Sequence, residues 1–116
     1  MPDFIEIRAI VRTEMVDRVV HRLKESGVPR LTVTRVHAIG AGVDPATAKI
    51  SLHEGTEYAD KAMIQFICDG ERREMFAELI AKEARTGRRG DGIVFIQPVL
   101  GVIKIRSGQR GLAALE

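Results

Sequence analysis

Two strand–helix–strand units of similar length, joined by a long polar segment, predict an α+β fold, the split βαβ or ferredoxin-like βαββαβ sandwich with a long loop between its second and third strands and a short strand at its C-terminal end. A further observation predicts an oligomer. Isoleucine and valine occur on both faces of several strands, so the sheet face that carries no helix needs a cover, and other copies of the chain can supply it. The 116 residues, 45% of them hydrophobic, suffice for one core and one domain over 1–116.

The first strand is FIEIRAIV, Phe4 to Val11, with Ile5, Ile7, Ala9 and Val11 on one face. Phe4 and Ile10 make its other face partly apolar, as suits a central strand. Thr13 then offers a helix N-cap, and Val16, Val19, Val20 and Leu23 follow at helical spacing until Gly27 and Pro29 stop the helix. LTVTRVHA, Leu31 to Ala38, is β-branched and reads as the second strand. Residues 40 to about 58 are small, polar and charged without a sustained period, and read as one flexible loop of the length that more often carries function than decoration. KAMIQFIC, Lys61 to Cys68, is the third strand; Asp69-Gly70 opens a second helix with Met75, Phe76, Leu79 and Ile80 as its stripe, ending near Glu83. A basic glycine-rich turn, ARTGRRGDG, precedes the strand IVFIQP and a short strand VIKIR, Val102 to Arg106.

Composition excludes several functions. Cys68 is the single cysteine, in an apolar run, so no intrachain disulfide forms and a reducing, cytoplasmic setting is expected. Asp3 stands where a secretory signal carries positive charge, and no apolar run is long enough to span a bilayer, so no membrane insertion is expected. A net charge of +2 does not point to nucleic acid, and four Phe, one Tyr, no Trp and no K/R-G-F/Y motif argue against an RNA-binding module on this fold. Acylphosphatase-like chemistry wants an asparagine to position water, and the chain has none; no Ser-His-Asp or Cys-His arrangement stands out. A non-enzymatic protein is therefore expected, with a small ferredoxin-like enzyme as an alternative.

The charge clusters at the turn. Gly87, Gly90 and Gly92 would let backbone N–H groups approach an anion, with Arg88 and Arg89 beside them, and in a strand Val102 to Arg106 the side chains of Lys104 and Arg106 would share a face. A solvated turn whose arginines aid solubility is the competing reading. The segment TGRRGDGIVFIQPVLGVIKIRSGQRG, Thr86 to Gly111, resembles the C-terminal signature of the P-II nitrogen-regulatory proteins, and LTVTRV, Gly40, the loop and the Lys61 strand fall in that family's order. The resemblance implies a homotrimeric signalling protein with an adenine nucleotide in clefts between neighbouring subunits and long loops that contact a protein target. By position it implies Ile10 and Thr32 near the adenine, Gly40 at the loop base, Lys61, the phosphate-facing Gly90 and Gly92, and the pair Lys104 and Arg106, the first an arginine in the family. A divalent-cation tolerance-type trimer is a further alternative, without the T-G-x-x-G-D-G turn.

Departures from the family pattern bear on the ligand. Ala41 and Gly42 stand where the family has an arginine and a glutamine, and Ile93 where it has a lysine that contacts outer phosphates. Unless Arg88 and Arg89 compensate, the expected result is a shift toward ADP, AMP or a cyclic nucleotide, or weak binding overall, with ATP and Mg²⁺ left open and 2-oxoglutarate sensing not expected. Glu54 replaces the tyrosine that some members have uridylylated, and Tyr58 is expected to pack at the loop end. Asp44, Lys49, His53 and Glu54 are the candidate partner-binding residues of the loop. Asp44, His53, Glu54 and Glu57 could ligate a cation, but scattered loop acids are usually solvated, and no metal site is expected. His21 is placed on a helix surface and His37 on a strand, neither with an evident partner. The departing pattern is similar to a P-II-like subgroup outside nitrogen control whose members occur beside heavy-metal efflux and other transporters, which implies a membrane transporter as the candidate target.

Overall fold

The computed structural model describes residues 3–51 and 55–116. Its strands are β1 (Phe4–Arg12), β2 (Thr32–Ala38), β3 (Lys49–Ser51), β4 (Thr56–Asp69) and β5 (Ile93–Val99), and its helices are α1 (Val16–Glu25) and α2 (Arg73–Ala84). The sheet runs β2-β4-β1-β5 with every pairing antiparallel, and β3 pairs only with the start of β4. This is the ferredoxin-like α+β order, with both crossovers returning strands to the same sheet.

Alternation in β1 puts Ile5, Ile7, Ala9 and Val11 under the helices, where each is at most 2% exposed. β4 adds Ile64, Phe66 and Cys68 to the same layer, and the helices close it with Val19, Leu23, Phe76 and Ile80. Phe66 and Phe76 meet edge to face at 5.5 Å, a geometry favoured by the ring quadrupoles. The Arg18 guanidinium donates to the Glu83 carboxylate at 2.7 Å and so ties α1 to α2 at the surface. Gly27, at φ +97°, takes the left-handed conformation that ends α1.

Several expected features differ. Thr13 is no N-cap: it begins a 3₁₀ turn, Thr13–Met15, and its hydroxyl makes no capping bond. Asp69 caps a second 3₁₀ turn, Gly70–Arg72, by accepting from the Arg72 amide at 3.2 Å, so α2 itself starts at Arg73. Met75 is half exposed, leaving Phe76 and Ile80 as the buried stripe, with Leu79 partly buried against it. The segment 40–58 is not one structureless loop, because Lys49–Ser51 pairs with Thr56–Tyr58 as a hairpin that carries β4 three residues beyond its pairing with β2, which begins at Ala59. No strand forms over 102–106. That segment has one isolated bridge, Ile103 to Arg110, and a turn closed by the Gly108 amide on the Lys104 carbonyl at 2.8 Å.

Candidate anion site at the basic turn

The turn Thr86–Gly92 is folded around one carboxylate. Asp91 accepts from the backbone amides of Thr86 and Gly87, each at 2.8 Å, from the Thr86 hydroxyl, and from Arg12 Nε at 3.0 Å. Burial pushes this carboxyl upward, but the Thr86 hydroxyl and amide, Arg12 and the Gly87 amide together outweigh it and hold Asp91 well below the usual carboxylate range. Arg12 also donates from Nη2 to the Arg89 carbonyl at 2.7 Å, so one guanidinium grips the turn at two points. At the end of the turn Gly92, at φ +103°, lies flat on β1: a Cβ there would stand 1.7 Å from the Ile10 carbonyl oxygen.

The β1–β4 register places Arg12 opposite Lys61, and both cations are buried, at 6% and 3% exposure. The Lys61 ammonium donates to the Gly90 carbonyl. Burial lowers its pKa, Arg12 lowers it further, and the acids Glu14, Asp91 and Asp44 act in the opposite sense. Between this turn and the 3₁₀ segment Gly40–Gly42 lies a 560 Å³ cavity, bordered by Ile10, Ile39, Ala41, Lys61, Gly90 and Ile93 among others. Its walls are mainly apolar with Lys61 as the one cation and the Asp91 carboxylate, already engaged by Thr86, Gly87 and Arg12, as the one acid, an arrangement that can take a flat apolar ring carrying an anionic group at the Lys61 end. Asp44 packs behind the turn rather than in the lining. It lies against Gly90, where an added Cβ would meet the Asp44 Cβ at 3.3 Å, and its carboxylate caps the local turn by accepting from the Ala46 amide at 2.9 Å.

The structure thus gathers Ile10, Lys61, Gly90 and Gly92 at one cavity, with Gly40 in the adjoining segment at φ +86°. It does not bring Thr32 there. Thr32 pairs with Gln65 on β4, four residues and roughly 13 Å along the strand from Lys61, and borders a separate 170 Å³ cavity with Ile103, Ala114 and Leu115. Lys104 and Arg106 do not share a strand face, since no strand forms; Lys104 Nζ donates to the Glu116 carbonyl at 2.7 Å, beside that second cavity, and Arg106 is exposed. Arg88 and Arg89 are exposed, and Gly87 holds Asp91 rather than lining the cavity. Arg12 and the structural role of Asp91 were not anticipated; a charge at a strand end reads as solvated until the register sets it opposite Lys61.

Of the loop residues, Lys49 lies in β3 and Asp44 at the loop base, while His53 and Glu54 fall outside the described residues. Lys49 Nζ meets Asp60 Oδ2 at 2.5 Å, which raises the lysine and lowers the acid. Tyr58 packs as expected, its ring stacked on His37 at 4.1 Å, and His37 also approaches Asp60 at 3.5 Å. His21 has a partner too, Glu25 at 2.6 Å. Among the described residues no group of three or more His, Cys, Asp or Glu could hold a metal ion, and no helix is long and apolar enough to cross a membrane.

Comparison with known proteins fits this geometry. The sequence profile of the family described as nitrogen regulatory protein P-II matches residues 4–109. A nitrogen regulatory protein P-II homolog of Oryza sativa subsp. japonica is 34% identical over 114 residues, 94% of this chain and 52% of the rice protein, so the chain spans about half of that relative's length. Nitrogen regulatory protein GlnK2 of Haloferax mediterranei is 37% identical over 113 residues, covering 94% of this chain and 89% of the relative. Among solved structures, that of Arabidopsis thaliana PII bound to citrate superimposes with a TM-score of 0.80 at 30% identity, over 97% of this chain and 92% of the plant chain.

Proposed function

The chain belongs to the nitrogen regulatory protein P-II family, and from that premise we propose that it is a non-enzymatic signalling protein that binds an adenine nucleotide at the seams of a homotrimer and contacts a protein target through its β3–β4 hairpin. The observation that carries the reading is the separation of the expected ligand residues into two groups. Ile10, Lys61, Gly90 and Gly92 border one cavity, and Thr32 and Lys104 lie beside another, so a single protomer offers two half-sites. A neighbouring copy that sets its Thr32–Lys104 side against the Lys61 cavity completes one site at each seam. Exposed apolar side chains at the free edge, Ile93 and Phe95 on β5 and Ile105 beyond it, support such an assembly.

The charge available favours few phosphates. In the first half-site Lys61 is the one cation that borders the cavity, beside the Asp91 carboxylate and with Asp44 acting on it from outside the lining, and Ile93, Ala41 and Gly42 offer no charged donor. ADP, AMP or a cyclic nucleotide is therefore the favoured ligand, ahead of Mg-ATP. Citrate in the Arabidopsis thaliana structure is a polyanion, which agrees with anion binding in a relative of the same fold.

Titration calorimetry with ATP, ADP, AMP and cyclic AMP, with and without Mg²⁺, tests the ligand, and light scattering on the same sample tests the assembly. Heat with at least one of these nucleotides and a mass three times that of the chain are expected. A monomer that gives no heat with any of them would rule the reading out.

A further inference from the structure

We propose that Arg12 is a positioning residue: through Asp91 and the Arg89 carbonyl it holds the Thr86–Gly92 turn in its phosphate-ready shape, and so sets the site's affinity for phosphate without touching the ligand. This rests on the nucleotide reading above for its functional half, while the hold on the turn stands on geometry alone.

Gly87, Gly90 and Gly92 all have positive φ, at +85°, +97° and +103°, so the turn needs a backbone that glycine supplies at the cost of many competing conformations in a free chain. Something outside the turn must select one. The contacts that reach it from β1 and β4 are few: Arg12 Nε on Asp91 at 3.0 Å, Arg12 Nη2 on the Arg89 carbonyl at 2.7 Å, Lys61 on the Gly90 carbonyl, and the close seating of Gly92 on Ile10. Of these, the Lys61 ammonium is the one an incoming anion would recruit, because Lys61 borders the cavity. Arg12 does not border it. With Lys61 turned to a ligand, the two-pronged grip of Arg12 is what keeps the turn in place. That grip depends on planar geometry. Two N–H groups of one guanidinium diverge toward two acceptors, and a lysine ammonium on a shorter reach cannot satisfy both.

The experiment uses the full chain as wild type, Arg12→Lys and Arg12→Met. Calorimetry reads ADP binding, ligand-observed NMR reads adenosine, and hydrogen exchange reads the amides of residues 86–92 in nucleotide-free protein. Arg12→Lys keeps the buried charge and is the variant that decides the matter if Arg12→Met does not fold. For it we expect ADP affinity to fall on the order of tenfold to a hundredfold, adenosine affinity to stay at the wild-type level, and the Thr86 and Gly87 amides to exchange faster while β1 and β4 core amides do not. Wild-type ADP affinity in Arg12→Lys, or an equal loss for ADP and adenosine, would overturn the proposal. If wild type binds no nucleotide, the phosphate role falls together with the nucleotide reading; unchanged exchange at Thr86 and Gly87 in a variant would separately overturn the hold on the turn.

Discussion

Gly92 is the least replaceable residue at the turn. An alanine Cβ would fall 1.7 Å from the Ile10 carbonyl oxygen, at a φ that L side chains avoid, so Gly92→Ala is expected to lift the turn off β1, lower the thermal midpoint and abolish ADP heat. Asp91 predicts a pH effect. Its folded pKa lies below the unfolded value of 3.8, so the unfolded chain binds more protons in between, and the stability it contributes is complete above about pH 4 and lost as pH falls toward the folded pKa. Urea midpoints between about pH 3 and pH 6 should therefore decline less steeply in Asp91→Asn than in wild type. Lys61 also gains stability as pH rises, but because its charge, unlike that of Asp91, is a cost to the fold. Burial and Arg12 lower its pKa from 10.5, so its charge costs stability at neutral pH and that cost is relieved as pH climbs toward the unfolded value. Lys61→Met is expected to weaken ADP on the order of tenfold or more without lowering the thermal midpoint. At this scale the glycine-rich turn was legible in the sequence from its spacing, and Lys61 only through the resemblance to the family. Arg12 stayed hidden because its partners, Asp91 and the Arg89 carbonyl, lie 79 and 77 positions away in the chain.

Among the elements, the helices and central strands were legible because burial forces a period on them. The stripe that ends in Phe76 and Ile80 is one case, and Phe76→Ala should destabilise the fold by about 3–5 kcal/mol in urea titrations, as its ring is fully buried against Phe66. β3 was not legible. Lys49-Ile50-Ser51 is too short for a two-residue period to register, and Ile50, 77% exposed, marks no buried face. VIKIR shows the converse, since it alternates like a strand but finds no partner beyond a single bridge, and Ile105 stays exposed. The hairpin is anchored near its base by Lys49 on Asp60 and by Tyr58 on His37. Asp60→Ala is expected to speed amide exchange in Lys49–Ser51 and Thr56–Tyr58 and leave the core amides unchanged, because an exposed ion pair holds local structure without governing global unfolding.

For the whole molecule, β5 is an edge with one paired side, and Ile93, Phe95 and Ile105 leave apolar surface beside it. Phe95→Asp should yield a folded monomer by light scattering and, in consequence, lose nucleotide heat even though residue 95 borders neither cavity. The wide spacing between the Lys61 pocket and the Thr32–Lys104 side has an outcome in mixtures. On the two-surface reading, Lys61→Met damages one donor surface and Lys104→Glu the other, so each pure variant binds weakly for a different reason. Unfolded together and refolded at equal ratio, random reassortment pairs an intact surface with an intact surface at about one seam in four, so on that reading binding tighter than either parent's reappears. Blending them without reassortment restores nothing, which separates genuine complementation from residual binding by either parent.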